Sequence, residues 1–171
     1  MRIGGGAVSI ADVTDRTARD LGFVRDFWLN EIRAGRAFMS GTAIGASGGN
    51  YSHLQLFNPV GSGITIIVYA IFVSTLSAGR VHKRTHNTAL SSLSQTGTNL
   101  LAGQSAAIGE IRSESPAALQ GTRVMDFSTL AQTLQEITRG WTFELGAGEG
   151  VLVVPNAVNV QIEANYYWIE L

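Results

Sequence analysis

The 171-residue chain contains no cysteine. Neither a disulfide framework nor a thiolate metal site is available, so the fold must hold by packing, with oligomerisation as its aid. Charge is also scarce: Asp, Glu, Lys and Arg make up 15% of the residues and leave a net charge of −1. That balance gives no electrostatic basis for a nucleic-acid partner or an anionic membrane surface. It also protects a free monomer poorly against self-association, a requirement that a subunit of an assembly escapes. No apolar run reaches the roughly 20 residues of a membrane-spanning helix. The most hydrophobic stretch, Ile64 to Leu76, is interrupted by Thr65, Tyr69 and Ser74. The N-terminal MRIGGGAVSIADVTDR has no continuous apolar core of a signal peptide, so synthesis in the cytoplasm is expected.

Catalytic signatures are missing too. The glycines at 61 and 63, and those at 146, 148 and 150, do not continue into a Walker or dinucleotide pattern. They read as turns. No Gly-x-Ser-x-Gly elbow is present, and carboxylates such as Glu110, Glu114 and Glu163 cannot be paired into an acid and a base from sequence. No catalytic residue, metal site or cofactor is nominated, and an enzyme is not expected.

What is present is organised around LQLFNPVGSGITIIVYAIFVSTL, residues 54–76. A short apolar strand enters an Asn58-Pro59 turn and a Gly61-Ser62-Gly63 hinge, then leaves as a run rich in β-branched and aromatic side chains, which suit a buried pleated surface. This predicts a central strand entered through a corner. At the C-terminus, Trp141 to Leu145 and Val151 to Val154 read as strands separated by a glycine turn. Val158 to Leu171 then alternates: Val158, Val160, Ile162, Ala164, Tyr166 and Trp168 share one face, the period of a half-buried antiparallel strand.

The remainder is less regular. Over 23–39, Val24, Trp28 and Ile32 have helical spacing, while Phe27, Leu29 and Glu31 alternate as in a strand, and both readings stand. Gly41 to Asn50 reads as a loop, and Arg80 to Thr88 as a polar strand or sheet edge. Ala89 to Gly109 reads as loop and short strand, and Phe127 to Ile137 as a short helix or a strand. No fixed-period repeat occurs. Many strands with glycine-rich turns predict a mainly all-β protein, an antiparallel β-sandwich of jelly-roll type. Residues 1–35 form an extended or part-helical arm, and residues 36–171 the sandwich.

Candidate binding residues are few. His82 and His86 would lie about 13 Å apart along a strand, too far to share a metal ion, so a solvated edge is expected. Arg80, His82 and Arg84, with Lys83 between them, form the only basic cluster. It could contact a glycan or another anion, or serve as a charged edge that blocks strand pairing. Tyr167, on the face opposite Tyr166 and Trp168, is the aromatic candidate for sugar stacking.

The stretch LQLFNPVGSGITIIVYAIFVS, with its Asn-Pro-x-Gly-Ser-Gly turn, resembles a pattern in virion structural proteins of tailed bacteriophages. The closing LGAGEGVLVVPNAVNVQIEANYYWIEL and the N-terminal VTDRTARDLGFV are similar to the end and the arm of such components. The resemblance implies a small, often trimeric β-sandwich of a tail, baseplate, fibre or head decoration. Its localisation would be the virion and its partners other copies and other virion proteins. In that reading Val13, Leu21 and Val24 anchor the arm on a neighbour, with Arg16 and Arg19 paired to acidic groups; the arm could instead fold back on its own sandwich. The alternative is a carbohydrate-binding module that reads a host-surface glycan, since jelly rolls host lectins as readily as capsid proteins.

Overall fold

The computed structural model describes residues 27–138 and 142–171. The chain is mainly β. Its strands are β1 (Ala37–Ile44), β2 (His53–Phe57), β3 (Ile66–Thr75), β4 (Gly79–Thr85), β5 (Ser92–Thr96), β6 (Thr98–Asn99), β7 (Glu110–Glu114), β8 (Thr122–Thr129), β9 (Gln135–Glu136), β10 (Phe143–Leu145), β11 (Gly150–Pro155) and β12 (Ile162–Glu170). Sheet A runs β10-β3-β12-β1-β6, with β9 also pairing β3, and sheet B runs β5-β7-β2-β11-β4-β8.

Eight of these strands make a jelly roll. β1 pairs antiparallel with β12, β2 with β11, β3 with β10 and β4 with β8. This is one long antiparallel ribbon, first strand to last, wrapped so that alternate pairs fall in opposite sheets. The expected sandwich is therefore present, and β3 is an interior strand of sheet A.

The core lies between the sheets. Ile66, Val68, Ile71 and Val73 of β3 and Ile162, Ala164, Tyr166 and Trp168 of β12 are buried against Leu54, Leu56, Val81, Ile111 and Val153 of sheet B. The Tyr166 hydroxyl donates to the Leu54 carbonyl at 3.0 Å, pinning β12 to β2 across the core. Burial pushes the Tyr166 phenol far up in pKa, so it stays a donor. At the corner after β2, the Asn58 amide donates to the Ile64 and Leu145 carbonyls at 2.9 and 3.0 Å. Gly61 and Gly63, both at φ 74°, occupy the left-handed region that a side chain disfavours.

Several local expectations change. The competing periods of 23–39 belong to successive elements: residues 27–33 are helical, and β1 begins at Ala37. Gly35, at φ 70°, ends the helix, its N–H donating to the Ile32 carbonyl. β1 continues through Ile44, so Gly41 begins no loop; its missing side chain leaves room for Asn165 on β12. Residues 127–129 finish β8, and Leu130 and Leu134 are exposed, so no helix forms there. β12 begins at Ile162, because Asn159 turns the chain at φ 60° and Val158 is exposed. Residues 1–26 of the expected arm and the strand position of Trp141 lie outside the described residues.

Between β4 and β8 the chain inserts β5, β6 and β7. Its two connecting stretches, 86–91 and 115–121, pass over the outer face of sheet B. The His86 N–H donates to Gly150 O, and the Tyr51 N–H to Pro116 O. Leu90 is buried on Leu152 and Val154, with Tyr51 and Leu119 closing a second small core. The middle of sheet B, at β2, β11 and β4, is thus covered on both faces.

Candidate functional site

Strand alternation sends Arg80, His82 and Arg84 to the outer face of sheet B. The solvated edge expected for this segment is not found. β4 lies between β11 and β8, so it is interior to its sheet, and the crossing stretches cover the face it presents. His82 is 3% exposed, while Arg80 is exposed and Arg84 half-buried. The reason is long-range: the cover comes from residues 86–121, which the local pattern of β4 does not foreshadow.

Arg84 is committed to that cover. Its Nε donates to the Gln120 carbonyl at 2.5 Å and its Nη2 to the Gly121 carbonyl at 2.6 Å. Gln55, directly across β11 in the same row, holds the other crossing stretch. Its amide nitrogen donates to His86 O and Thr88 O at 3.1 and 3.0 Å, and its oxygen accepts the Leu90 N–H at 2.9 Å.

The next row along the sheet carries two histidines. His53 pairs with Glu114 on β7, and His82 pairs with Val154 on β11 and Asp126 on β8. His53 is fully buried, and neither its ring nitrogens nor Gln120 Oε1 makes a hydrogen bond of good geometry, although the Gln120 side chain lies beside the ring. Burial pushes the His53 imidazole down to about 4, against the opposing pull of the Gln120 amide and the Glu114 charge. Burial also lowers His82, opposed by Asp126, whose Oδ1 lies 3.6 Å from Nε2. Both imidazoles therefore stay neutral at pH 7. His86, also lowered by desolvation, follows β4 and does not share a strand with His82.

Sheet A differs. Its outer face carries Met39 of β1, Ile67, Tyr69 and Phe72 of β3, and Tyr167 of β12, all half-buried. Phe72 and Tyr167 meet edge to face, with ring centroids 5.6 Å apart at 77°. Trp28 of the helix stacks on Tyr69 at 4.5 Å and 20°. Helical spacing brings Trp28, Glu31 and Ile32 to one side, and Glu31 is fixed by a two-point bond from Arg36, at 2.7 and 3.0 Å. Among the described residues, only this helix is seen to stack on the aromatic face.

Of the residues singled out in the sequence, Arg80, His82 and Arg84 share a face, and Tyr167 lies on the opposite side of the sandwich. The four do not form one surface. Val13, Arg16, Arg19, Leu21 and Val24 lie outside the described residues. Reasoning from sequence missed Gln55 and Trp28 with Tyr69, and it grouped Lys83 with the basic cluster. The period-2 pattern of RVHKRT could have separated Lys83 from its basic neighbours, since it points the other way, into the sandwich.

Among the described residues no group of three or more His, Asp or Glu side chains could hold a metal ion. No helix is long and apolar enough to cross a membrane. The arrangement offers a row of half-buried aromatic and apolar side chains on one side and a largely buried layer holding His53, Gln55 and His82 on the other. Comparison of the chain with protein-family models, with curated proteins and with solved structures returns no match.

Proposed function

We propose that the protein is a structural subunit of a phage or phage-like virion, part of a tail, baseplate, fibre or head decoration. It associates with further copies of itself through the outer face of sheet A and the N-terminal arm. One observation carries the reading: the insertion covers the middle of sheet B, while among the described residues only the helix at 27–33 stacks on the half-buried aromatic row Tyr69, Phe72 and Tyr167 of sheet A. A contiguous apolar surface of that kind marks a protein contact. Low charge and the jelly-roll body are in keeping with it.

The occupant is a second copy of the chain. In sequence, residues 1–26 directly precede the helix whose Trp28 stacks on this face. Burial there contributes roughly 25 cal/mol per Å² of apolar area before the entropy cost of association. A trimer is the expected state, with other virion proteins as further partners. The rival carbohydrate-binding reading draws no support from Arg80, His82, Arg84 and Tyr167, which do not converge.

The test is solution mass by light scattering, on the full chain and on a chain lacking residues 1–24. The full chain should be trimeric, and the shortened one folded but dissociated. A monomeric full chain, or a shortened chain that assembles normally, overturns the proposal.

A further inference from the structure

The side chain of Lys83 enters the sandwich from β4, on the face opposite His82 and Arg84. It is 7% exposed, and its ammonium sits 4.5 Å from the centroid of the Phe143 ring. Among the described residues it has no carboxylate within ion-pair distance and no hydrogen-bond acceptor. Lysine is rarely buried without a paired anion, because desolvating its charge is costly. A cation–π contact returns only part of that cost.

Two further features meet at the same atom. The β4–β8 ladder shifts register between Lys83 and Arg84, so Val124 faces no partner there. Such bulges re-aim a side chain and are common beside binding sites. A cleft of about 360 Å³ opens at this end of the sandwich, between β10 of sheet A and the β4 and β8 strands of sheet B. Lys83, Val124, Phe143, Leu145, Asn87 and Glu149 are among the residues that line it. That volume lies in the range of small-molecule sites, and the lining has their usual make-up, an apolar wall with a few polar groups.

We propose that this cleft is a binding site for a small carboxylate of about monosaccharide size, whose anion completes the missing ion pair with Lys83. Its body lies against Val124 and the Phe143 side of the cleft. Asn87 offers an amide for a hydroxyl or carbonyl of the ligand. Glu149, whose Oε2 already accepts the Gly146 N–H at 2.7 Å, stands at the rim and selects against ligands with a second negative charge. The site is independent of the assembly reading, since it lies within one copy and away from the outer face of sheet A.

The experiment titrates the full chain with sodium D-glucuronate and sodium benzoate, against their neutral counterparts D-glucose and benzamide. The Lys83 side-chain resonances and the Phe143 ring are followed by NMR. At least one carboxylate should bind saturably at millimolar concentration and shift both residues, and its neutral counterpart should bind on the order of 30-fold more weakly or not at all. Lys83→Met keeps the length and volume of the side chain and should abolish that binding. Lys83→Arg should retain it in part, and retained thermal unfolding of both variants shows that the cleft is intact. Equal binding by neutral and anionic partners, unchanged binding in Lys83→Met, or no saturable shift with either carboxylate overturns the proposal.

Discussion

The indole Nε1 of Trp168 donates to the Glu170 carboxylate at 3.0 Å, two residues along the same strand. The same carboxylate accepts the Ile108 N–H at 3.0 Å and the Gly109 N–H at 2.7 Å. One buried side chain of β12 thus satisfies the largest core aromatic and two amides of the insertion. Removing it should leave three donors without partners. We expect Glu170→Ala to lower unfolding free energy by about 3 kcal/mol, and Glu170→Gln by about half that, since an amide oxygen still accepts. Urea denaturation measures this; an unchanged midpoint in Glu170→Ala would show that water replaces the carboxylate without loss.

Acid should weaken the fold through the histidines under the crossing stretches. His53 is held at about 4 by burial, against an ordinary value near 6.5, in surroundings that include Gln120, Glu114, Arg84 and His86. The unfolded chain therefore binds the proton more readily. Stability is full above pH ~6.5 and is lost as the pH falls towards 4, by about 3 kcal/mol for this group. Burial of His82 acts in the same direction. In a pH series of thermal unfolding, His53→Gln should flatten this slope, whatever its effect at neutral pH. Parallel slopes for parent and variant would rule out His53 as the source.

Charge placed on the outer face of sheet A should dissociate the assembly while leaving the fold intact. Tyr167→Asp and Phe72→Asp each put an unpaired carboxylate where copies meet, and desolvating it costs more than one contact returns. Solution mass should fall to that of the monomer in both. Thr88→Asp, exposed on the covered side, should leave the mass unchanged. If all three variants keep the parental mass, association runs through some other surface.

The crossing stretch 86–91 hangs on Gln55. Gln55→Ala removes three hydrogen bonds at once, and the expected cost is roughly 2 kcal/mol. Amide hydrogen exchange should quicken at Leu90 and His86 well before it does in β3 or β12. Uniform acceleration across the chain would mean that the cover and the sandwich open as one unit.

The strands that β-branched runs and strict alternation define, β3 and β12, were legible because each buries a face along its whole length. The corner at Asn58 was legible as well, since its glycines carry the turn. What stayed hidden depends on contacts distant in sequence. His82 is buried because chain distant in sequence crosses the outer face of sheet B, and Gln55 is polar inside a buried strand because residues 86–90 need its amide. Trp28 and Tyr69 are 41 positions apart, so their stacking leaves no local trace. Lys83 was readable in principle: alternation alone divides it from Arg80, His82 and Arg84, once the segment is taken as a strand with two occupied faces.

In the proposed assembly, the insertion over sheet B would also limit the valence of the subunit. A sandwich with both outer faces open could propagate in two directions and grow into fibres. Here the insertion closes one direction, so copies that met through sheet A, as proposed, would lack the outer face of sheet B as a second surface from which to extend. Contacts of that kind close on themselves. In the proposed assembly the inserted residues would act as a stop, bounding the size of what the protein could build.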